Sequence, residues 1–499
     1  MIASFVKSQK TRRVIALAAG LLLPLGFAPF DLYWLTPLSV ALLFLLWEGQ
    51  SPRESAVLGM CFGVAAFALG TYWLYISLRQ LGGAPLPIVA LLMGLMFAVM
   101  GVFVALTGAL AARLAPAAGV IRWLVVMPAV WVLVEWLRGW VFTGFPWLSL
   151  GYSQLDTPLS QWSLVAGVHG VSWVVALIGG AFVALLTGLR RDQLAAAGAL
   201  LIVTAATVGL KTQSWTEPRE QALSIGMVQA AIPQELKWLP SQREPTLEQY
   251  KAATLALENV DLVIWPEAAI PGLPYEVMPF LQEMDDLLVE RNVQLFSGIL
   301  TFDVERGEYR NTLMAIGPEL GLYYKRHLVP FGEYFPVPEF ITQWLRLMNL
   351  PSEDIGPGPD VQAPLVAAGV PIAPTICYEV AFGAEQLVFL PEAELLVNVS
   401  NDTWFGDSIA PHQHLQMARM RSLETGRPML RATNTGITAV IDANGEVLQR
   451  LPQFESGVLS AEIRPHTGAT PYVRWGNTPL VLILVALVAA GALVPRRRA

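Results

Sequence analysis

The stretch VPIAPTICYE at 370–379 decides the fold of the middle of this chain, together with its counterpart VDLVIWPE at 260–267. Both are runs of apolar and β-branched residues that end in polar ones, as buried strands do. Four more runs share this pattern, namely 222–230, 293–300, 311–318 and 393–402. Amphipathic segments between them, such as 246–259 and 277–292, are typical of helices. Strands that alternate with helices predict a layered α/β domain, with functional groups gathered where strands end.

The rest of the chain is too apolar for an ordinary soluble domain. In the whole chain of 499 residues, 54% are hydrophobic and 14% are charged, and the mean hydropathy is +0.50. About 20 apolar residues in a helix cross the roughly 30 Å of bilayer hydrocarbon. Eight stretches approach this length, approximately 13–30, 34–48, 56–77, 87–112, 121–141, 163–187, 194–210 and 477–494. We therefore predict a polytopic α-helical membrane bundle of about eight spans joined to the α/β domain.

The first apolar stretch follows several basic residues and could also be a cleavable signal peptide. We favour an uncleaved anchor, because FAPFDLYW at 27–34 leads into the next span without a clear small-residue cleavage site. Lys and Arg concentrate on the cytoplasmic side of membrane proteins. Here most of them fall on the side of the two chain ends, at the N-terminus, Arg53, Arg113, Arg122, Arg190, Arg191 and Arg496–Arg498.

This distribution predicts cytoplasmic termini and a middle domain on the opposite side of the membrane. The predicted domains are a seven-span bundle at 1–212, an extracytoplasmic α/β domain at 213–472, and a last helix with a basic tail at 473–499. In a bacterium with two membranes the middle domain would be periplasmic and the membrane would be the inner one.

Charge and cysteine content exclude two classes of protein. The middle region, 211–477, carries 33 acidic and 18 basic residues, so it lacks the basic face that nucleic-acid binding requires. The two cysteines, Cys61 in an apolar run and Cys377 in the middle domain, support no disulfide framework. A lone thiol in an exported domain is unusual unless it is buried or reactive, which makes Cys377 a candidate nucleophile.

Three strand-associated segments carry polar residues of catalytic type. Glu267 ends the strand at 260–267, Lys325 lies in YYKRHLVPFGEYFP at 323–336, and Cys377 ends the strand at 370–379. Each also has an ordinary explanation, since Glu267 could cap a helix, Lys325 could be solvated, and Cys377 could be a small core residue. Spacing alone leaves both interpretations open.

The neighbouring motifs favour the catalytic interpretation. They are GFPWLSLGYSQ at 144–154, PQELKW at 233–238, WPEAAIP at 265–271, YYKRHLVPFGEYFP at 323–336, ICYE at 376–379 and the long segment 399–436. Together they resemble the nitrilase superfamily of carbon–nitrogen hydrolases. With the membrane spans they are similar to the apolipoprotein N-acyltransferase family over essentially the whole chain. The resemblance implies a nitrilase-like α-β-β-α sandwich and a triad of Glu267, Lys325 and Cys377.

The resemblance also implies the reaction and its partners. A fatty acyl chain would pass from a phospholipid, through a thioester on Cys377, to the α-amino group of a diacylglyceryl-modified cysteine at an apolipoprotein N-terminus. Glu267 would act as the base and Lys325 would stabilise the oxyanion. The expected partners are the phospholipid donor, the apolipoprotein acceptor and the bilayer, and the protein is expected to be a monomer. We expect no cofactor, and no metal at His412 and His414, because two histidines without further ligands make a weak site.

Five further residues are candidates for supporting or substrate-binding roles. By resemblance Glu333 supports Lys325 or the attacked carbonyl, Tyr378 and Glu379 shape a substrate pocket, and Trp238 closes over the site. Trp147, in the loop 144–158, would line an interface with the domain. Ordinary alternatives remain, namely a loop salt bridge for Glu333, structural hydrogen bonds for Tyr378 and Glu379, a core position for Trp238, and an aromatic belt for Trp147.

The segment FPVPEFITQWLRLMNL at 335–350 has apolar residues at roughly helical spacing. It could be an amphipathic lid on the bilayer surface or an ordinary core helix. Two other functions also remain open. One is a membrane-anchored nitrilase-like amidohydrolase, in which water resolves the acyl-enzyme, although an anchor needs only one span. The other is a transporter or scaffold, although such proteins usually carry charged or broken spans at mid-membrane.

Overall fold

The computed structural model describes residues 8–115, 118–335 and 355–493. The chain divides into two compact units. The bundle unit comprises the residues up to Tyr75, Leu86–Gln213, and the residues from Trp475 onwards. The sandwich unit comprises Ile76–Pro85 and Ser214–Arg474. The predicted lid at 335–350, apart from Phe335, and the predicted basic tail Arg496–Arg498 lie outside the described residues.

The regular secondary structure of the bundle unit is helical in the part of the chain that the structure describes. Its helices are α1 (Gln9–Leu22), α2 (Leu35–Leu46), α3 (Pro52–Gly70), α4 (Leu86–Leu114), α5 (Met127–Arg138), α6 (Ser163–Thr187), α7 (Arg190–Lys211) and the C-terminal helix Thr478–Leu493. A π-helical turn, Ile121–Val126, runs directly into α5. Each of the eight predicted stretches therefore contains a helix.

Four helical segments of the described chain are long and apolar enough to cross a membrane. They are Pro52–Gly70, Leu86–Leu114, Pro158–Thr187 and Arg190–Lys211. The apolar helices Leu35–Leu46 and Thr478–Leu493 are shorter, with 12 and 16 residues. The count of eight spans thus stays a prediction, whereas a set of membrane-length apolar helices is present.

The sandwich unit contains fourteen strands in the described part of the chain. They are β1 (Thr216–Pro218), β2 (Leu223–Gln229), β3 (Leu262–Ile264), β4 (Gln294–Asp303), β5 (Glu308–Ile316), β6 (Gly321–Tyr324), β7 (Leu365–Ala367), β8 (Val370–Ile376), β9 (Leu395–Ser400), β10 (Met429–Thr433), β11 (Ala439–Ile441), β12 (Val447–Arg450), β13 (Gly457–Ile463) and β14 (His466–Gly468). The helices are α8 (Gln234–Lys237), α9 (Pro240–Leu255), α10 (Met278–Arg291), α11 (Gly383–Gln386), α12 (Ala410–Thr425) and α13 (Pro471–Trp475).

The strands form two six-stranded sheets and a small two-stranded one. The first sheet has the order β13-β2-β3-β4-β5-β6, the second has the order β12-β11-β10-β9-β8-β7, and β1 pairs with β14. The central neighbours β2, β3 and β4 are parallel, and so are β8, β9 and β10. Because the carboxyl ends of parallel strands meet at one edge, each sheet gathers its strand-end residues there.

Alternating residues give the central strands β2, β3 and β4 of the first sheet two apolar faces. Ile225, Leu262 and Ile264 pack against the second sheet in one core with residues such as Ile372 and Leu396. Val263 and Leu295, which point the other way, pack under α9 and α10 in a second core. A sheet that is buried on both faces needs a sheet on one side and helices on the other. This layering agrees with the predicted nitrilase-like sandwich.

The segment Ile76–Pro85 lies in sequence between two helices of the bundle unit but belongs to the sandwich unit. The Ser77 hydroxyl donates to the Trp404 carbonyl oxygen at 2.7 Å. A Cβ atom on Gly406 would lie 2.9 Å from a methyl group of Ile76. The sequence prediction had placed this segment at the end of the third span and in the loop after it.

Candidate active site

The three predicted triad residues follow strand ends of the two facing sheets. Glu267 comes three residues after β3, Lys325 directly follows β6, and Cys377 directly follows β8. Electrostatic interactions link the Cys377 thiol to both Glu267 and Lys325. The structure therefore brings together three residues that are distributed along the chain from position 267 to position 377.

Glu267 is buried, with 7% of the residue's surface exposed, and its side chain is held by three donors. Its Oε1 accepts from the Asn311 side-chain amide at 2.8 Å and lies 3.5 Å from Lys325 Nζ, while its Oε2 accepts from the Asn401 backbone N–H at 2.8 Å. Gly298 permits this arrangement, because a Cβ atom there would lie 2.7 Å from Glu267 Cα. The carboxylate is thus fixed in orientation before any substrate binds.

Lys325 is a fully buried cation between two carboxylates. Its Nζ donates to Glu333 Oε1 at 2.9 Å, and Asn311 donates to the same oxygen at 3.1 Å. Burial on its own lowers the pKa of the Lys325 ammonium, but Glu333 and Glu267 outweigh burial and raise the pKa above its ordinary value. The two carboxylates therefore favour the charged form of Lys325, which oxyanion stabilisation requires.

Cys377 has a backbone φ of 53°, in the left-handed region that residues with a Cβ atom seldom occupy. Burial raises the pKa of the Cys377 thiol above its ordinary value, Glu267 raises it further, and Lys325 lowers it by less than these effects together. These surroundings favour the neutral thiol over the thiolate. Because the thiolate is the nucleophile, a base has to remove the proton during attack, and Glu267 is the carboxylate beside it.

Glu379 joins the nucleophile to the segment after Lys325. Its Oε2 accepts from the Ile376 backbone N–H at 2.7 Å. Its Oε1 accepts from the backbone N–H groups of Arg326 at 2.7 Å and His327 at 3.2 Å, and from the Tyr323 hydroxyl at 2.8 Å. One buried carboxylate thus fixes the relative positions of the residues on either side of Lys325 and Cys377.

The arrangement has the parts of a covalent acyl-transfer site, namely a thiol, a base and a fixed cation. Two family models cover most of the chain. One, described as the apolipoprotein N-acyltransferase N-terminal domain, matches residues 19–181, and the other, described as carbon-nitrogen hydrolase, matches residues 224–472.

Curated relatives match over nearly their whole length. An apolipoprotein N-acyltransferase from Methylococcus capsulatus is 41% identical over 97% of this chain and 96% of its own. One from Vibrio cholerae is 39% identical over 99% of both chains. The chain belongs to the apolipoprotein N-acyltransferase family. It is therefore an enzyme with a carbon–nitrogen hydrolase catalytic domain.

Among solved structures, a carbon–nitrogen hydrolase superfamily protein from Xanthomonas campestris matches 53% of this chain and 97% of its own. The identity is 18% and the TM-score is 0.36.

Tyr378 and Trp238, which were also predicted to have supporting roles from the apolipoprotein N-acyltransferase resemblance, lie in the sandwich unit. Tyr378 is buried, and its ring lies edge-on to Phe382, with centroids 4.9 Å apart. Trp238 follows α8 and is 43% exposed, so it is not a core residue. The predicted role of this exposed tryptophan in covering the site stays a prediction.

Trp147 lies in the bundle unit. It is 1% exposed, its ring stacks on Phe145 with centroids 5.5 Å apart, and it also packs on Trp73 at 5.5 Å. The Arg138 guanidinium donates to its carbonyl oxygen. This residue is thus held in a buried aromatic cluster, and its predicted role at an interface stays a prediction.

Three residues of the acyltransferase site were not predicted from the sequence. Asn311 bridges Glu267 and Glu333, the Asn401 backbone N–H binds Glu267, and the buried Lys237 ammonium donates to the Glu267 carbonyl oxygen at 3.1 Å. Burial lowers the pKa of Lys237 to about 8, against the raising effect of the Glu267 carboxylate. A polar residue within a strand, a backbone group and a lysine on a short helix carry no catalytic signal in sequence.

Proposed function

We propose that the chain transfers a fatty acyl chain from a phospholipid to the α-amino group of an apolipoprotein's N-terminal diacylglyceryl-cysteine. The observation that carries the proposal is the grouping of the Cys377 thiol, the Glu267 carboxylate and the Lys325 ammonium in a chain with membrane-length apolar helices. The names of the curated relatives support an apolipoprotein as the acyl acceptor.

In the first half-reaction Glu267 accepts the Cys377 proton as the sulfur attacks the ester carbonyl of the phospholipid. The carbonyl oxygen becomes an oxyanion beside Lys325. The intermediate collapses by breaking the carbon–oxygen ester bond, and Glu267 returns the proton to the departing lysophospholipid oxygen. The acyl chain is left as a thioester on Cys377.

In the second half-reaction Glu267 accepts a proton from the α-ammonium of the lipoprotein, and the freed amine attacks the thioester. Lys325 again faces the oxyanion, the carbon–sulfur bond breaks, and the proton on Glu267 restores the Cys377 thiol. The amine loses its second proton to solvent as the amide forms. This sequence is a ping-pong mechanism, since the lysophospholipid leaves before the lipoprotein reacts.

We propose that Glu333 keeps Lys325 in place, since its carboxylate accepts from Lys325 Nζ at 2.9 Å and from the Val329 backbone N–H at 2.7 Å. The contacts of Glu379 support a positioning role, whereas Tyr378 and Trp238 are proposed to form the wall of the substrate pocket.

We place the protein in the bacterial inner membrane, with both termini cytoplasmic, the sandwich unit periplasmic, and domain limits near 212 and 473. The grouping of Ile76–Pro85 with the sandwich unit supports this topology. Each span carries the chain to the other side of the membrane. The loop after the third span and the domain after the seventh span therefore lie on the same side of the membrane.

A transfer assay tests the proposed function. Purified protein in detergent micelles is mixed with a phospholipid labelled on its acyl chain, with and without a diacylated lipopeptide. We expect label on the lipopeptide amine and little free fatty acid, and no transfer by Cys377→Ser. Equal release of labelled fatty acid with and without the lipopeptide would identify an amidohydrolase-like reaction with water and contradict the proposal.

A further inference from the structure

A polar cluster with almost no exposed surface lies next to the nucleophile, and no step of the proposed mechanism uses it. Its side chains come from β9, the turn after it, α12 and β10, and each is at most 2% exposed. They are Asn398, Asp402, His414 and Arg431. Burying so many polar groups is costly unless they serve one another or a fixed partner.

The cluster converges on the carbonyl oxygen of Cys377. His414 Nε2 lies 3.2 Å from this oxygen, and the Asn398 side-chain amide donates to it at 3.4 Å. Arg431 in turn donates to Asp402 Oδ2 at 2.7 Å and to Asn398 Oδ1. The two residues that reach the nucleophile's backbone are thus themselves held by a buried ion pair.

The proton on His414 can be assigned from its neighbours. His414 Nδ1 lies 3.0 Å from both the donor Arg431 Nη2 and the acceptor Asp402 Oδ1. Nε2 faces the Cys377 carbonyl oxygen, which can only accept, so Nε2 carries a proton. Burial and Arg431 lower the pKa of His414, against the raising effects of Asp402 and of the hydrogen bond to the Cys377 carbonyl. The Nε2–H group therefore donates to the Cys377 carbonyl.

Cys377 needs such a partner because its left-handed backbone, with φ at 53°, is unfavourable for a residue with a Cβ atom. A conformation of this kind persists only where surrounding contacts determine it. The ring of Phe405 lies edge-on to His414 at 5.8 Å and limits its rotation.

We propose that His414 is a positioning residue, which holds the Cys377 carbonyl so that the left-handed backbone keeps the thiol beside Glu267 and Lys325. The inference rests on the proposed role of Cys377 as the nucleophile. His414 acts through the backbone of Cys377 and not on the substrate.

The test compares full-length His414→Gln and His414→Asn. The amide nitrogen of Gln reaches the position of Nε2 and can donate to the carbonyl, whereas that of Asn is too short. His412→Asn, on the same helix but directed toward Gln453, is the matched control. The readout is the rate constant of acyl-enzyme formation after mixing with phosphatidylethanolamine in micelles, followed by intact mass.

We expect His414→Gln and His412→Asn to acylate within about 3-fold of the wild-type rate constant, and His414→Asn to be slower by on the order of 10-fold or more, as loss of one hydrogen bond predicts. If a variant has a smaller folded fraction, the amplitude of adduct formation is lower, but the rate constant of the folded molecules is unchanged. A wild-type rate constant in His414→Asn, or equal loss in His414→Gln, would overturn the inference. A wild-type protein without any adduct would instead refute the proposed function, and the inference with it.

Discussion

Glu267→Gln is expected to reduce acyl transfer by about 10²- to 10⁴-fold while making Cys377 react faster with iodoacetamide. Transfer falls because the amide cannot accept the thiol proton. Alkylation rises because the Glu267 charge raises the pKa of Cys377, so its removal increases the thiolate fraction at a given pH. Alkylation rates between pH 7 and 9, measured by intact mass in a Cys61→Ala background, test both effects.

Glu258→Gln is the matched control for this change, because Glu258 is exposed on a loop of the same unit. It should alter neither transfer nor alkylation. Slower alkylation of Cys377 in Glu267→Gln, in protein that melts like the wild type, would show that the carboxylate does not act on the thiol as described.

Lys325→Met is expected to slow acyl-enzyme formation by about 10²- to 10³-fold, as removal of an oxyanion donor does. It should also slow the alkylation of Cys377, since the Lys325 charge lowers the pKa of the thiol. The two triad variants therefore shift thiol reactivity in opposite directions. Rapid mixing with labelled phospholipid and the same iodoacetamide assay measure these effects.

Loss of Lys325 also leaves the buried carboxylates Glu267 and Glu333 without their shared cation. Breaking a buried ion pair in this way typically costs about 3 to 5 kcal/mol of stability. The double variant Lys325→Met/Glu333→Gln should recover part of the melting temperature but none of the acylation rate. Recovery of acylation in the double variant would mean that Lys325 serves only to neutralise Glu333.

The sequence predicted the layered fold, because apolar runs that end in polar residues indicate buried strands. It also predicted that Glu267, Lys325 and Cys377 lie at strand ends. The strand β10 was missed for a physical reason. Its Arg431 and Thr433 are fully buried polar residues, so the strand lacks an apolar pattern. Arg431 donates to Asp402, and Thr433 hydrogen-bonds with Gln229 and Thr438. The helix α12 is buried on nearly all sides and likewise has no amphipathic signal.

Contacts between distant segments account for the other differences. The sequence of residues 76–85 does not predict that the Ser77 hydroxyl donates to the Trp404 carbonyl oxygen. The role of Asn311 depends on Glu267 and Glu333 meeting at its amide, which requires the assembled sheet. The apolar pattern predicted a helix at 246–259. Helix α9 begins six residues earlier, at Pro240, and includes Pro245.

The central claim is that the Cys377 sulfur carries the acyl group between donor and acceptor. Intact-mass analysis of the purified protein after incubation with phospholipid alone tests it most directly. The account predicts a mass gain of one fatty acyl chain that hydroxylamine removes, that maps to Cys377, that is absent from Cys377→Ala, and that a diacylated lipopeptide discharges. Continued transfer to the lipopeptide by Cys377→Ala, or an adduct on another residue that turns over at the rate of transfer, would contradict it.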